Sequence, residues 1–128
     1  MSRIIRVDIW TVPIALEEPY AVAYGMVDRA DNVFLRLETA NGIVAYGCAN
    51  PDEEVTGESA ASVAAALATV AEPLLRGANL LHRSRILREL EDSLPSQPSA
   101  RAAVDIALWD GLGKFAGLDR KSTRLNSS

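Results

Sequence analysis

Two acids on a single helical stretch are the nearest thing in this sequence to a reactive constellation. Asp105, Asp110 and Lys114 lie within SARAAVDIALWDGLGKFAGL, residues 99–118, with the acids five positions apart. Paired carboxylates can do general acid–base work, but on a helix at this spacing they read more simply as surface or packing charges. His82 is the only histidine and Cys48 the only cysteine. His82 begins a charged helical segment and reads as a surface residue, and with no cysteine cluster beside it a zinc site is not expected. No Ser-His-Asp set, phosphate-cradling glycine loop or metal-ligand spacing is present.

Two irregular stretches are better placed to meet a ligand. From Leu16 to Asn32, Pro19 and Gly25 are mixed with Tyr20, Val22, Tyr24 and Val27 and with five charges. The pattern predicts a long aromatic loop, and loops of that length in a compact domain are commonly lids or binding loops. The second stretch, Cys48 to Glu58, carries Asn50-Pro51, Thr56-Gly57 and four acids. Its pattern alone fits a solvated connector.

The elements that must position these stretches follow from periodicity. Ile5, Val7, Ile9 and Thr11 alternate with Arg6, Asp8 and Trp10, the period of a half-buried strand. Val33, Leu35 and Leu37 alternate with Phe34, Arg36 and Glu38, and Ala40-Asn41-Gly42 then supplies a hairpin turn before Ile43–Gly47. After Ser59, a cap, Val63, Leu67, Val70 and Leu74 recur at helical spacing as far as Gly77, and Pro73 should kink or shorten the last turn. A charged helix over about Leu81–Leu94 turns Ile86, Leu87, Leu90 and Leu94 inward. The last helix, capped by Ser99 and ending near Gly117, carries Val104, Leu108, Leu112 and Phe115 on one face. Beside them runs a small-residue stripe, Ala100, Ala103, Ala107 and Gly111, which lets a second backbone approach closely. That helix should be buried between two neighbours. Three strands followed by three helices, without alternation, make an α+β domain with helices on one face of an antiparallel meander.

Composition narrows the class further. With 128 residues and 48% hydrophobic content, the chain can bury one core. The net charge of −4, with scattered basic residues, argues against nucleic-acid or anionic-membrane surfaces and for a small-molecule or protein partner. The start MSRIIRVDIW lacks a secretory pattern and the longest apolar run is too short to span a bilayer, so a cytoplasmic location is expected.

Asp119–Ser128, DRKSTRLNSS, has no apolar period, cap or turn logic. It matches the translation of GAT-CGG-AAG-AGC-ACA-CGT-CTG-AAC-TCC-AGT, the start of a widely used sequencing adapter. The tail is therefore expected to be non-natural, to be disordered or only to trail the helix, and the natural protein to continue past Leu118. Setting Asp119, Arg120, Lys121 and Arg124 aside takes the net charge from −4 to −6.

Residues 3–118 resemble the N-terminal capping domain of the enolase superfamily, in its mandelate racemase and muconate-lactonizing branch. The most specific part is Ala102-Ala-Val-Asp-Ile-Ala-Leu-Trp-Asp-Gly-Leu-Gly-Lys114 with Gly117-Leu118, similar to the family signature A-x-D-x-A-L-x-D-x-x-G-K before Gly-Leu-Pro. The expected proline is missing where the tail begins. Pro19–Gly25, Asn32–Glu38 and Val55–Ser59 after Asn50-Pro51 are similar to dipeptide epimerases of the L-Ala-D/L-Glu type. Gly47-Cys48 stands where the family usually has Gly-Glu.

The resemblance implies a parent with a modified TIM barrel after this cap, assembled as a homo-oligomer when full length. In such enzymes Mg²⁺, held by Asp and Glu, binds a carboxylate or dipeptide substrate, a lysine removes the α-proton, and the metal stabilises the enediolate. A second lysine on the opposite face returns the proton. The cap would contribute substrate contacts from Tyr20, Tyr24, Gly25, Val27, Val55, Thr56 and Gly57, and no catalytic or metal-binding residue. Alternatives are an o-succinylbenzoate synthase, an N-acylamino acid racemase or a muconate cycloisomerase, or, in another class, a free-standing α+β binding module.

Overall fold

The computed structural model describes the backbone of residues 2–22 and 25–127 and the side chains of residues 2–13 and 31–117. Three strands, β1 (Ile4–Val22), β2 (Gly25–Thr39) and β3 (Val44–Ala49), form an antiparallel sheet in the order β1-β2-β3. Helices follow: α1 (Glu53–Thr56), α2 (Ala60–Ala66), a π-helical turn (Leu67–Ala71), α3 (Glu72–Leu75), α4 (Arg83–Ser93) and α5 (Pro98–Ser127). The meander-then-helices order expected from the pattern is present, with α1 as an added single turn.

The core lies between one face of the sheet and the helical layer. Val7, Leu35, Leu37 and Ala45 meet Val63, Leu67, Val104 and Leu108 there, all buried. The turn after β2 is the Asn-Gly turn, with Gly42 at φ 88°, which a side chain would strain. Thr39 holds it, its Oγ1 accepting from Ile43 N–H at 3.0 Å. On the other face of the sheet Trp10 stacks on Phe34 with ring centroids 5.6 Å apart. Cys48 pairs with Phe34 in the ladder, and burial pushes its thiol pKa up, away from a reactive thiolate.

Four expectations need correction. Ile4, not Ile5, reaches the core: a register shift between Ile4 and Arg6 turns Ile5 outward. The free edge of β1 is covered there, because Ile4 N–H donates to Ala78 O and Gly77 N–H to Ile4 O, both at 2.8 Å.

The stretch from Leu16 to Asn32 is not a loop in its backbone. β1 and β2 pair as far as Val22 and Gly25, and the ladder passes from Ala15 with Arg29 to Tyr20 with Val27. Leu16, Glu17, Glu18 and Pro19 thus oppose Asp28 alone, a large bulge that hides the period of two from a reader of sequence.

The helix after Ser59 does not stop before Pro73; it widens ahead of it. Pro73 has no N–H to give, and the preceding turn is π-helical, with Glu72 N–H bonded to Leu67 O.

The last helix runs to Ser127 instead of ending near Gly117. Positive φ angles occur among the described glycines only at Gly42, Gly57 and Gly77, so Gly117 forms no left-handed cap. No proline follows it, and Arg, Lys and Leu are good helix formers.

Candidate functional site

The two stretches singled out as ligand-facing leave the same end of the sheet. The final β2–β3 pair is Val33 with Ala49, so the β1–β2 hairpin continues past β3 at the point where the chain turns into α1. Val27 lies roughly 20 Å along the strand from Val33. Tyr20 pairs with Val27 and Val22 with Gly25 near the tip. The side chains of Tyr20 and Val27, and Tyr24 altogether, lie outside the described residues.

The second stretch is built more firmly than a solvated connector. Asp52 caps α1, its Oδ1 accepting from Glu54 N–H at 3.0 Å, and Gly57 closes the turn at φ 78°. Thr56 Oγ1 donates to Asp52 O at 3.1 Å and accepts from Glu58 N–H at 3.2 Å. The hydroxyl is therefore used in shaping the turn. Val55 is the side chain left free, 78% exposed.

Glu58, which the sequence reading passed over, anchors this stretch. It is 1% exposed, and its two carboxylate oxygens accept from Ser99 N–H at 2.9 and 3.0 Å, with Ala100 N–H at 3.3 Å. A carboxylate on the first N–H groups of a helix satisfies orphan donors and complements the helix dipole. Pro98 and Ser99 open α5, so Ser99 is capped by Glu58 instead of serving as the cap. No local motif announces a cap supplied from forty-one residues upstream.

The signature helix α5 is held to the sheet by its own charged residues. Asp110 Oδ2 accepts from Tyr46 N–H at 2.9 Å, and Lys114 Nζ donates to Val44 O at 2.7 Å. The two side chains are themselves paired at 2.9 Å. An acid and a base one turn apart thereby satisfy the outer N–H and C=O of edge strand β3. Burial raises the Asp110 pKa, but the Lys114 and Tyr46 hydrogen bonds outweigh it and hold the carboxyl below its ordinary value. Asp105 binds Arg83 at 2.7 and 2.8 Å. Both acids are therefore packing charges, as the simpler reading had them. His82 is exposed at the start of α4.

The small-residue stripe does what its spacing implies. A Cβ on Gly47 of β3 would strike the Ala103 carbonyl oxygen and stand 3.0 Å from Ala107 Cβ, and one on Gly111 would meet Leu80 at 2.7 Å. The bulky face departs from expectation: Val104 and Leu108 are buried, but Leu112 is only half-buried and Phe115 is exposed. Four-residue steps drift around a helix of 3.6 residues per turn, and Phe115 lies past the end of the sheet contact at Val44.

Among the described residues no group of three or more His, Cys, Asp or Glu is placed to hold a metal ion. Glu58, Asp105 and Asp110 are each committed to protein donors. The described residues form an α+β domain that presents two segments at one end and keeps its buried and bridging charges for its own architecture.

The chain belongs to the mandelate racemase / muconate lactonizing enzyme family, the model of whose N-terminal domain matches residues 4–119. It is 40% identical over 116 residues to an L-Lys-D/L-Arg epimerase of Desulforapulum autotrophicum, covering 91% of this chain and 33% of that protein. The substrate-liganded L-Ala-D/L-Glu epimerase of Bacillus subtilis superposes with a TM-score of 0.82 at 32% identity, over 89% of this chain and 32% of that one. The dipeptide epimerase of Methylococcus capsulatus, complexed with Mg and L-Arg-D-Lys, gives a TM-score of 0.84 at 34% identity, over 90% and 32%. The chain thus spans about a third of the length of the relatives it matches.

Proposed function

We propose that residues 1–118 are the N-terminal cap of a Mg-dependent dipeptide epimerase, and that residues 119–128 are translated adapter. The observation that supports this reading is the shared end of the sheet: the β1–β2 hairpin and the segment leading to the turn Glu53–Gly57 both leave it past the Val33–Ala49 pair. A cap that closes a neighbouring active site needs two such segments on one side, where they exclude water and contact the part of a substrate remote from the reacting carbon. Tyr20, Tyr24, Gly25 and Val27 supply one wall in this reading, and Val55, Thr56 and Gly57 the other. Val55 is the contact residue of the second group, while Thr56 and Gly57 shape its turn.

The carboxylates that hold Mg²⁺ and the lysines that exchange the α-proton belong, in this reading, to the part of the relatives that the chain does not span. Lys114 is committed to Val44 O and Asp110, which leaves it unsuited to act as a base. The chain alone is expected to show neither Mg²⁺ binding by isothermal titration nor α-proton exchange in D₂O on L-Ala-L-Glu or L-Arg-L-Lys. Turnover by the 128-residue chain would overturn the proposal. In the full-length protein, Val55→Ala and Tyr24→Ala should each change relative kcat/KM between dipeptides differing in the distal residue, by about 10- to 200-fold if a full contact is lost, with metal affinity unchanged. Parental preference in both variants would return these segments to the role of connectors.

A further inference from the structure

The turn that carries Val55 has no packing of its own to hold it in place. None of residues 50–57 is buried; the buried residues that bracket them are Ala49, at the end of β3, and Glu58. Bonds within the turn run from Val55 and Thr56 N–H to Asp52 O at 3.1 and 2.9 Å, and from Gly57 N–H to Glu53 O at 2.9 Å. They set its shape but not where that shape sits on the domain. A single helical turn without a buried face is marginal in water, so its position depends on its two ends.

Glu58 fixes the downstream end through a helix that starts forty-one residues later. Pro98 has no N–H, and Arg101 N–H already reaches Gln97 O at 3.1 Å, which leaves Ser99 and Ala100 with the free donors of the first turn of α5. The Glu58 carboxylate takes both. It is the one buried acid among the described residues, and a buried charge is tolerated where such donors compensate it. The same residue is tied to the turn, since its N–H donates to Thr56 Oγ1 at 3.2 Å. It also leads straight into α2, where Ser59 Oγ accepts from Ser62 N–H at 3.0 Å. One side chain thus joins the exposed turn to the starts of two helices.

We propose that Glu58 is a positioning residue for substrate choice: by tying the turn to the first turn of α5 it sets where Val55 meets the distal part of a substrate, from a buried place behind the contact. This rests on the proposed function, which gives Val55 a substrate to meet. Displacing a contact by about 1 Å can cost on the order of 100-fold in rate, so the tie has a functional consequence beyond stability. A carboxylate that only stabilised α5 would act on every substrate alike. One that acts through Val55 alters the choice between substrates, and its effect disappears once the Val55 side chain is removed.

Two variants test it. Glu58→Gln keeps the size of the side chain but removes the charge and sets an NH₂ group against backbone donors; Glu58→Asp keeps the charge and shortens the tie by one methylene. In the 128-residue chain, Glu58→Gln should speed amide hydrogen exchange at Ser99 and Ala100 and at residues 55–57 at least several-fold, with Leu35 and Leu37 protected as before. In the full-length protein, each variant should change relative kcat/KM between dipeptides differing in the distal residue by about 10-fold. In a Val55→Ala background the same change should shrink below about 2-fold. Exchange at residues 55–57 that ignores Glu58→Gln overturns the inference. So does a dipeptide preference that Val55→Ala alters and both Glu58 variants leave at the parental value, or Glu58 effects that simply add to that of Val55→Ala; the proposed function survives these results. If Val55→Ala also leaves the preference unchanged, the wall assigned to residues 55–57 falls, and this inference with it. Glu58→Asp, which keeps a charged cap on α5, decides the matter if the glutamine variant does not fold.

Discussion

The two sides of α5 show how one helix can be fixed by geometry on one face and left open on the other. Toward β3 the contact is backbone on backbone, made possible by Gly47 and the alanines at 103 and 107 and bounded by the Asp110 and Lys114 bonds to the strand edge. Away from it Ile106 and Trp109 are about half exposed, and Arg83 lies over the Trp109 ring. Hydrophobicity does not distinguish the faces; residue size and hydrogen-bonding partners do. Close approach needs small side chains in register, whereas the large ones on the other face are left partly exposed.

The sharpest way to break this comparison is a pair of truncations two residues apart. Leu108→Ala should cost about 2–5 kcal/mol, as buried leucine truncations do, and Ile106→Ala in the 128-residue chain less than about 0.5 kcal/mol, as surface changes do. Urea denaturation of both variants checks this, and equal losses would erase the distinction between the faces. Gly47→Ala comes next. Its methyl has the Ala103 carbonyl in its way and not a flexible side-chain end, so a loss of roughly 1–3 kcal/mol is expected. A neutral Gly47→Ala would mean that α5 can slide off β3 freely.

The smallest effect concerns pH. The folded Asp110 carboxyl is held below its ordinary value, so its stabilising contribution is complete above the unfolded value of about 3.9 and is lost as pH falls through the lowered one. The melting temperatures of the parent chain and Asp110→Asn should therefore converge on acidification. Because the side chains are more than a third exposed, the difference at neutral pH is expected to be small. A gap that widened in acid would remove the edge-strand role assigned to Asp110.

Much of this architecture was legible where one interaction acts locally. Asn41-Gly42 announced its turn, the alternation around Leu35 and Leu37 its strand, and the alanine stripe its close neighbour. The rest depended on partners distant in sequence. The bulge at Leu16–Pro19 conceals strand periodicity behind extra residues, and the shift beside Ile4 exchanges the roles of two isoleucines. Pro73 ordinarily signals a kink, yet a widened turn accommodates its missing N–H. For the candidate site, the two segments were visible as breaks in periodicity, but Glu58 was not, because its caps lie across the fold at Ser99 and Ala100. The turn-shaping bonds of Thr56 were equally hidden, since its hydroxyl partners within the loop, beside the outward Val55, are visible only in the structure.

In the proposed function these residues shape and close an active site whose reactive groups lie elsewhere in the protein. Sequencing the source gene past codon 118 tests it most directly. The prediction is an open frame continuing as Gly-Leu-Pro, with a Lys-x-Lys strand and then spaced Asp and Glu ligands in place of DRKSTRLNSS. A stop codon immediately after Leu118, or an open frame without those lysines and carboxylates, would contradict it.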